Sequence, residues 1–227
     1  MIETDLWVLI EHQSPKVAVR VPPLLIPGAD SSWVPTPPRW FLGTWYFTQS
    51  DSAIYKQWRN MQWTLTPQPS SGVLYDLVTY QFPGSNNTYS FSGLDTPATT
   101  NSSAAPTIEK DTYSYVPNGA AFASDGNSFS VVAWGYDNNS VAYAVLYESP
   151  TTNGQEGAVF DIISRSDNGP DQVTLNLIYQ AVNATGNSAL ISLKNGATPL
   201  KQDGGRNGQG YPTCDAACLA NCKSSFG

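Results

Sequence analysis

The sequence predicts an all-β chain, folded as an antiparallel barrel or sandwich, and three observations carry that expectation. Short runs rich in Tyr, Trp, Val and Thr recur near 43–49, 58–66, 73–82, 87–93, 110–116, 128–136, 141–148 and 157–165. Clusters of Gly, Pro, Asn and Ser follow most of them, at 67–72, 83–87, 117–119, 137–139 and 152–157. Eight strands at such short spacing leave no room for the helices of βαβ units. The third observation is compositional: 7 Trp, 12 Tyr and 8 Phe supply ample core material, while only 13% of residues are charged. Ordinary domains carry about 25%, so the surface is mainly uncharged and polar.

The chain has 227 residues, enough for one domain with flanking segments. Residues 1–39 hold seven of the 17 prolines. Proline lacks an amide donor and disfavours helix in the residue before it, so this stretch reads as an extended arm, with a short apolar piece at Leu6 to Ile10. A lid over the barrel mouth is one role for the arm, suggested by Leu24, Leu25, Ile26, Trp33 and Val34. Residues 40–197 form the barrel with a flanking helix. Residues 198–227 read as a Gly-rich tail carrying Cys214, Cys218 and Cys222. Within the body, Thr96 to Ala105 (TPATTNSSAA) reads as a low-complexity loop.

After Arg165 the pattern changes. Asn168-Gly169-Pro170-Asp171 resembles a helix start. Val173, Leu177, Ile178, Ala181 and Val182 then share a helical face, although Val173, Leu175, Leu177 and Tyr179 also alternate as a strand would. Gly186 suits a helix stop. Ala189 to Lys194 is expected to be a short final strand.

Inventory narrows the chemistry. A net charge of −7 with 11 basic residues disfavours nucleic acid, whose phosphates need a basic face. No apolar run approaches the roughly 18 residues of a membrane span. His12 is the sole histidine and lies in the arm, which excludes a His-based metal site and disfavours a Ser-His-Asp triad in the fold. Nucleotide-binding glycine motifs are absent, so no cofactor and no metal are expected. The cysteines, spaced by three residues, suit a local or interchain link, and a homo-oligomer could form through them or the arm. Leu6 to Ile10 is too short for a signal-peptide core. Sequons at Asn86, Asn101, Asn138 and Asn183 leave a secretory origin open.

Three segments carry a family resemblance. Gly43-Thr44-Trp45, after Trp40-Phe41, resembles the GxW signature opening the first strand of lipocalins. Asn138 to Tyr147 (NNSVAYAVLY) resembles the second lipocalin segment, with Val141-Ala142 replacing its threonine-aspartate. Ile162 to Ser166 (IISRS) resembles the third, whose arginine packs over the signature tryptophan. The resemblance covers about residues 40–195 and implies an eight-stranded antiparallel lipocalin-like barrel with one C-terminal helix and extended termini. It also implies that Gly43, Trp45 and Arg165 are structural, the guanidinium closing one barrel end by a cation–π contact.

A barrel of this size can hold one small ligand, and each strand offers two faces. Met61, Trp63 and Leu65 are expected inside. Val132, Trp134 and Tyr136 form the bulkier face of their strand, and Tyr143, Val145 and Tyr147 share another. These rings either line a ligand cavity or fill a core. Arg59, Asp76 and Asp161 interrupt strands. An inward carboxyl would have a raised pKa and could act as general acid or base; an outward one would be solvated.

The opening WFLGTWYFT on a lipocalin-type body resembles small fungal lipocalin-like proteins of natural-product pathways. Some of these are cofactor-free cyclases, including pericyclases such as the hetero-Diels–Alderases of tropolonic sesquiterpenoid biosynthesis. The resemblance implies a barrel that fixes a reactive hydrophobic intermediate for cyclisation; Asp161 and Arg59, as charges within strands, are the candidate catalytic groups. The alternatives are a non-catalytic carrier of a hydrophobic ligand and a filled barrel that serves assembly.

Overall fold

Residues 17–27, 32–68, 72–99, 108–118 and 126–204 are described by the computed structural model. Eight strands run antiparallel around a closed barrel: β1 (Gly43–Ser50), β2 (Arg59–Pro67), β3 (Leu74–Gln81), β4 (Tyr89–Thr99), β5 (Ile108–Pro117), β6 (Asn127–Tyr136), β7 (Ala142–Glu148) and β8 (Val159–Ser164). Each strand pairs with the next, and β1 closes the ring by pairing with both β2 and β8. The strands fall where the sequence places them, with one extension. Thr96 to Thr99 continue β4 against β5, so the segment expected to be a loop begins as strand; its remainder, 100–105, lies outside the described residues.

Two apolar clusters divide the structure. The interior cluster is built from alternate positions: Trp45 and Phe47 on β1, Met61, Trp63 and Leu65 on β2, Leu74 and Val78 on β3, Phe129 and Val131 on β6, and Ala142, Ala144 and Leu146 on β7. The opposite faces of β6–β8 supply Val132, Ala133, Tyr143, Val145, Tyr147, Phe160 and Ile162 to a second cluster. This outer cluster is covered by two helices, α1 (Gln172–Ala184) and α2 (Ser188–Gly196).

The helices carry two corrections. Asp171 caps α1, accepting from the Thr174 amide at 2.9 Å. The buried face is Thr174, Leu175, Ile178 and Val182, while Val173 is exposed, so the face is rotated from the expected one. Residues 189–194 form a second helix, not a strand. Gly186 adopts φ +68° just past α1, and Asn187 then caps α2 by accepting from the Leu190 amide. That reversal lets Leu190 bury against the outer cluster, packing that a two-sided strand at this position would not supply.

The chain after α2 is also not a free tail as far as residue 203. Thr198–Pro199 form a ninth strand, β9, against Gln49 and Ser50. The Gln202 side chain donates to the Phe47 and Met61 carbonyls at 2.8 and 3.1 Å. Asp203 meets Arg59 at 2.8 Å. The segment thus fills the seam where β1 and β2 part. Cys214, Cys218 and Cys222 lie outside the described residues.

The described arm runs along the outer wall and then around the barrel end at which β1 begins. Val17, Val19, Leu24 and Leu25 pack on the outer cluster. Buried Arg20 donates to the carbonyls of Val131, Lys110 and Asp111 and stacks 4.3 Å from the Trp33 ring centroid. The Asp111 carboxylate accepts from the Trp33 indole, the Thr36 amide and the Thr36 hydroxyl, each at 2.8 Å. Asp111→Asn should therefore release this stretch while sparing the barrel. Losing charged acceptors at about 2 kcal/mol should speed Thr36 amide exchange roughly 30-fold, measurable by hydrogen exchange; an unchanged rate would refute the tether.

Candidate functional site

The two barrel ends differ because of what the sequence places there. At the end where β1 begins, Trp40 and Phe41 turn inward as a plug. Trp40 lies 4.9 Å from Trp45 and 5.2 Å from Trp134, and Phe41 sits edge-on to Trp63 at 5.2 Å. Arg165 closes this end, its guanidinium 3.7 Å from the Trp45 ring centroid and bonded to the carbonyls of Thr44, Trp40 and Leu42. Half-burial draws its pKa down to about 10, still charged at neutral pH. Gly43 adopts φ +93°, and a Cβ there would stand 3.2 Å from Arg165 Nη1, so the first signature residue makes room for the last.

The other end is open. A cavity of about 240 Å³ lies between the β1–β2 and β7–β8 loops and the floor made by Trp63 and Phe129. Its wall includes an aromatic run, with Tyr55 stacked on Trp58 at 5.4 Å and Trp58 on Tyr80 at 3.9 Å, continued by Phe91. Gly93, opposite Asp76 in the ladder, leaves room for the wall's Tyr115: a Cβ there would overlap the Tyr115 ring, which therefore lies beside Asp76.

Into this apolar lining project carboxyl groups. Asp76 enters from β3, Glu148 from the end of β7 and Glu156 from the β7–β8 loop. Burial raises all three. The Asp76 carboxyl reaches about 8, with the Trp63 indole N–H pulling the other way and the Glu148 charge adding to the rise. Its Oδ1 has no hydrogen-bond partner among the described residues, nor does Trp63 Nε1. Glu148 reaches about 7; it accepts from Asn127 Nδ2 at 3.0 Å and the Tyr55 hydroxyl at 3.5 Å. Behind each stands another carboxyl. Asp95 on β4 and Asp161 on β8 are fully buried and are held well above the usual carboxylate range by desolvation and by their neighbours' charge.

The sequence-nominated residues are scattered by this geometry. Trp63 lines the cavity. Met61 is interior core, and Asp161 faces inward but lies behind Glu148. Trp134 packs at the closed end and donates to the Val34 carbonyl, with Tyr136 exposed beside Trp40. They meet the plug because they end β6 at that side of the barrel, while a bulge at Val132 breaks the alternation and sends Val132 to the outer cluster. Tyr143 and Tyr147 face the helices, correcting their assignment to the interior. Arg59 is committed elsewhere: it forks onto Asp203 and donates to the Phe82 and Ser85 carbonyls, so it has no free face for a substrate. Asp95 and Glu148 were missed. Their signal was period-2 alternation, Glu148 falling in step with Ala142, Ala144 and Leu146. The described arm lies at the plugged end, away from the cavity, which corrects its expected role as a lid. Among the described residues no group of three or more His, Cys, Asp or Glu is placed to hold a metal, and no helix is long and apolar enough to cross a membrane.

A plugged, arginine-latched end opposite an open aromatic cavity defines a lipocalin-like barrel protein. Insecticyanin from the tobacco hornworm Manduca sexta shares the fold, at 13% identity over 78% of this chain and 80% of that one, with a TM-score of 0.51. Lobster apocrustacyanin A1 is 15% identical over 71% and 77% of the two chains, with a TM-score of 0.47. No family model matches the chain. It is 31% identical over 219 residues to Botcinic acid biosynthesis cluster B protein 12 of Botryotinia fuckeliana (strain B05.10), spanning 92% of this chain and 93% of that protein, and it belongs to that protein's family.

Proposed function

We propose that the barrel binds a hydrophobic natural-product intermediate in its open-end cavity and, as a cofactor-free cyclase of secondary metabolism, templates a (hetero-)Diels–Alder-type cyclisation. The relative's place in a biosynthesis cluster supports the metabolic setting. One observation carries the reading: the cavity is walled by aromatic rings and carries a buried carboxyl group, Asp76, held neutral near pH 7. A cycloaddition needs its reacting ends held together, which a shaped cavity supplies as orientation. A neutral carboxylic acid in an apolar wall can donate to a carbonyl, and that bond strengthens as charge develops on the oxygen.

The test uses a panel of terpenoids, polyenes and polyphenols. Trp58 and Trp63 line the cavity, so binding should quench intrinsic fluorescence, while chiral chromatography follows each ligand. A cyclised product in one stereoisomeric form is expected. Phe91→Trp, which enlarges a wall ring, should weaken binding at least about tenfold, a loss of roughly 1.4 kcal/mol. Ligands recovered unchanged would make the barrel a carrier instead.

A further inference from the structure

We propose that the cavity also moves protons: Asp76 and Glu148 form an acid–base pair across the bound molecule, and the substrate class is an enolisable ketone. The inference rests on the reading of the cavity as the ligand site and names what that ligand carries. In the closed ring β3 and β7 are four strands apart out of eight, so the two carboxyls enter one cavity from opposite walls. A ligand lying on the Trp63 floor has one on each side.

Their surroundings assign the roles. Glu148 accepts hydrogen bonds from Asn127 and Tyr55, which favour its carboxylate and make it the base. Asp76 has a buried Oδ1 without a hydrogen-bond partner among the described residues, and burial outweighs the pull of the Trp63 indole facing it, which favours the neutral acid. In the step, the Glu148 carboxylate removes the proton α to the carbonyl. The C–H electron pair becomes the new C=C bond, the carbonyl π pair moves onto oxygen, and that oxygen takes the proton of Asp76. Glu148 ends protonated and Asp76 ionised; exchange with water through the open mouth resets both. The product is an enol, an electron-rich alkene of the kind a cycloaddition consumes. Groups facing Asp76 are Trp63, Tyr55, Tyr115, Asp95 and Glu148. Those facing Glu148 are Tyr55, Asn127, Glu156, Asp161 and Asp76. No Lys, Arg or His lines the cavity among the described residues. With Glu148 titrating near 7 and Asp76 near 8, the competent form peaks between them.

The probe is 2-tetralone with the full chain in D₂O, binding being read by Trp fluorescence and loss of α-protons by NMR. Exchange is expected to exceed the buffer rate by about 10²-fold, the usual low end for a positioned acid–base group. Its pH profile should be bell-shaped around 7.5, between the two values above. Asp76→Asn should remove the limb near 8 and Glu148→Gln the limb near 7, each with a large loss of rate and with binding retained. Exchange at the buffer rate by a protein that binds 2-tetralone would overturn the proposal, as would exchange indifferent to both substitutions. Failure to bind 2-tetralone would overturn it too, and the cyclase reading would then stand or fall on the terpenoid and polyene panel.

Discussion

Asp76→Asn should raise the melting temperature strongly at pH 8 and barely change it at pH 4. The Asp76 carboxyl is buried in the cavity wall and is pushed up to about 8, against 3.8 for the free side chain. Below about 3.8 both folded and unfolded chains hold the proton, and the group is neutral in the balance. Between 3.8 and 8 only the unfolded chain releases it, so stability falls with pH, by about 1.4 kcal/mol per unit. By pH 8 the accumulated cost is on the order of 5 kcal/mol, which the uncharged amide avoids. At roughly 2–4 °C per kcal/mol for a chain of this size, the variant should melt some 10 °C higher. Glu148, Asp95 and Asp161 are raised as well and act in the same direction. Asp171 has the opposite sign: its pKa is lowered by the Thr174 and Asn138 bonds, and its contribution fades only as the solution becomes more acidic. The wild-type protein should thus be most stable near pH 4–5 and soften toward 8. Thermal melts across that interval check it; a flat or rising profile would contradict the buried acids.

Arg165→Met should cost about 3 kcal/mol or more in urea unfolding, whatever the pH between 5 and 8. The guanidinium serves three carbonyls where β1 begins, that of Thr44 in the strand and those of Trp40 and Leu42 ahead of it, at 2.6, 2.9 and 2.5 Å. Methionine fills part of the volume over Trp45 but leaves those acceptors without their charged donor. Arg165→Lys should recover only part of the loss, because one ammonium cannot span the positions a planar fork reaches. Ligand binding at the open end should survive in the lysine variant. Equal stability of all three proteins would refute the latch.

The strands and the latch were legible because they depend on local patterns: turn residues between β-rich runs, and a Gly43-x-Trp45 opening matched by Arg165. Interior facing was readable on β2, where Met61, Trp63 and Leu65 alternate with polar residues. It failed on β7, where both faces are apolar and size misleads. Bulky Tyr143 and Tyr147 meet the helices, while small Ala142 and Ala144 face in. The bulge at Val132 leaves no mark in composition, and it parts Val132, which joins the outer cluster, from Trp134, which packs on the interior one. Asp95 was hidden by its neighbours, since Thr-Pro-Ala-Thr reads as a loop although β4 continues through it. The acidic character of the cavity therefore emerges only once four strands are brought together, and no window of sequence contains it.

The seam between β1 and β2 has a consequence for the order of events during folding. Neighbouring pairs from β2 to β8 are hairpins of short reach, whereas β1 must find β8 and then receive Thr198–Pro199 about 150 residues later in the chain. Contacts that distant form slowly and late. Interactions made after the rate-limiting barrier govern how fast a protein comes apart more than how fast it assembles. Weakening the Arg59–Asp203 pair should accordingly leave the refolding rate almost untouched and shorten the native lifetime. The last described stretch of the chain acts as a kinetic fastener.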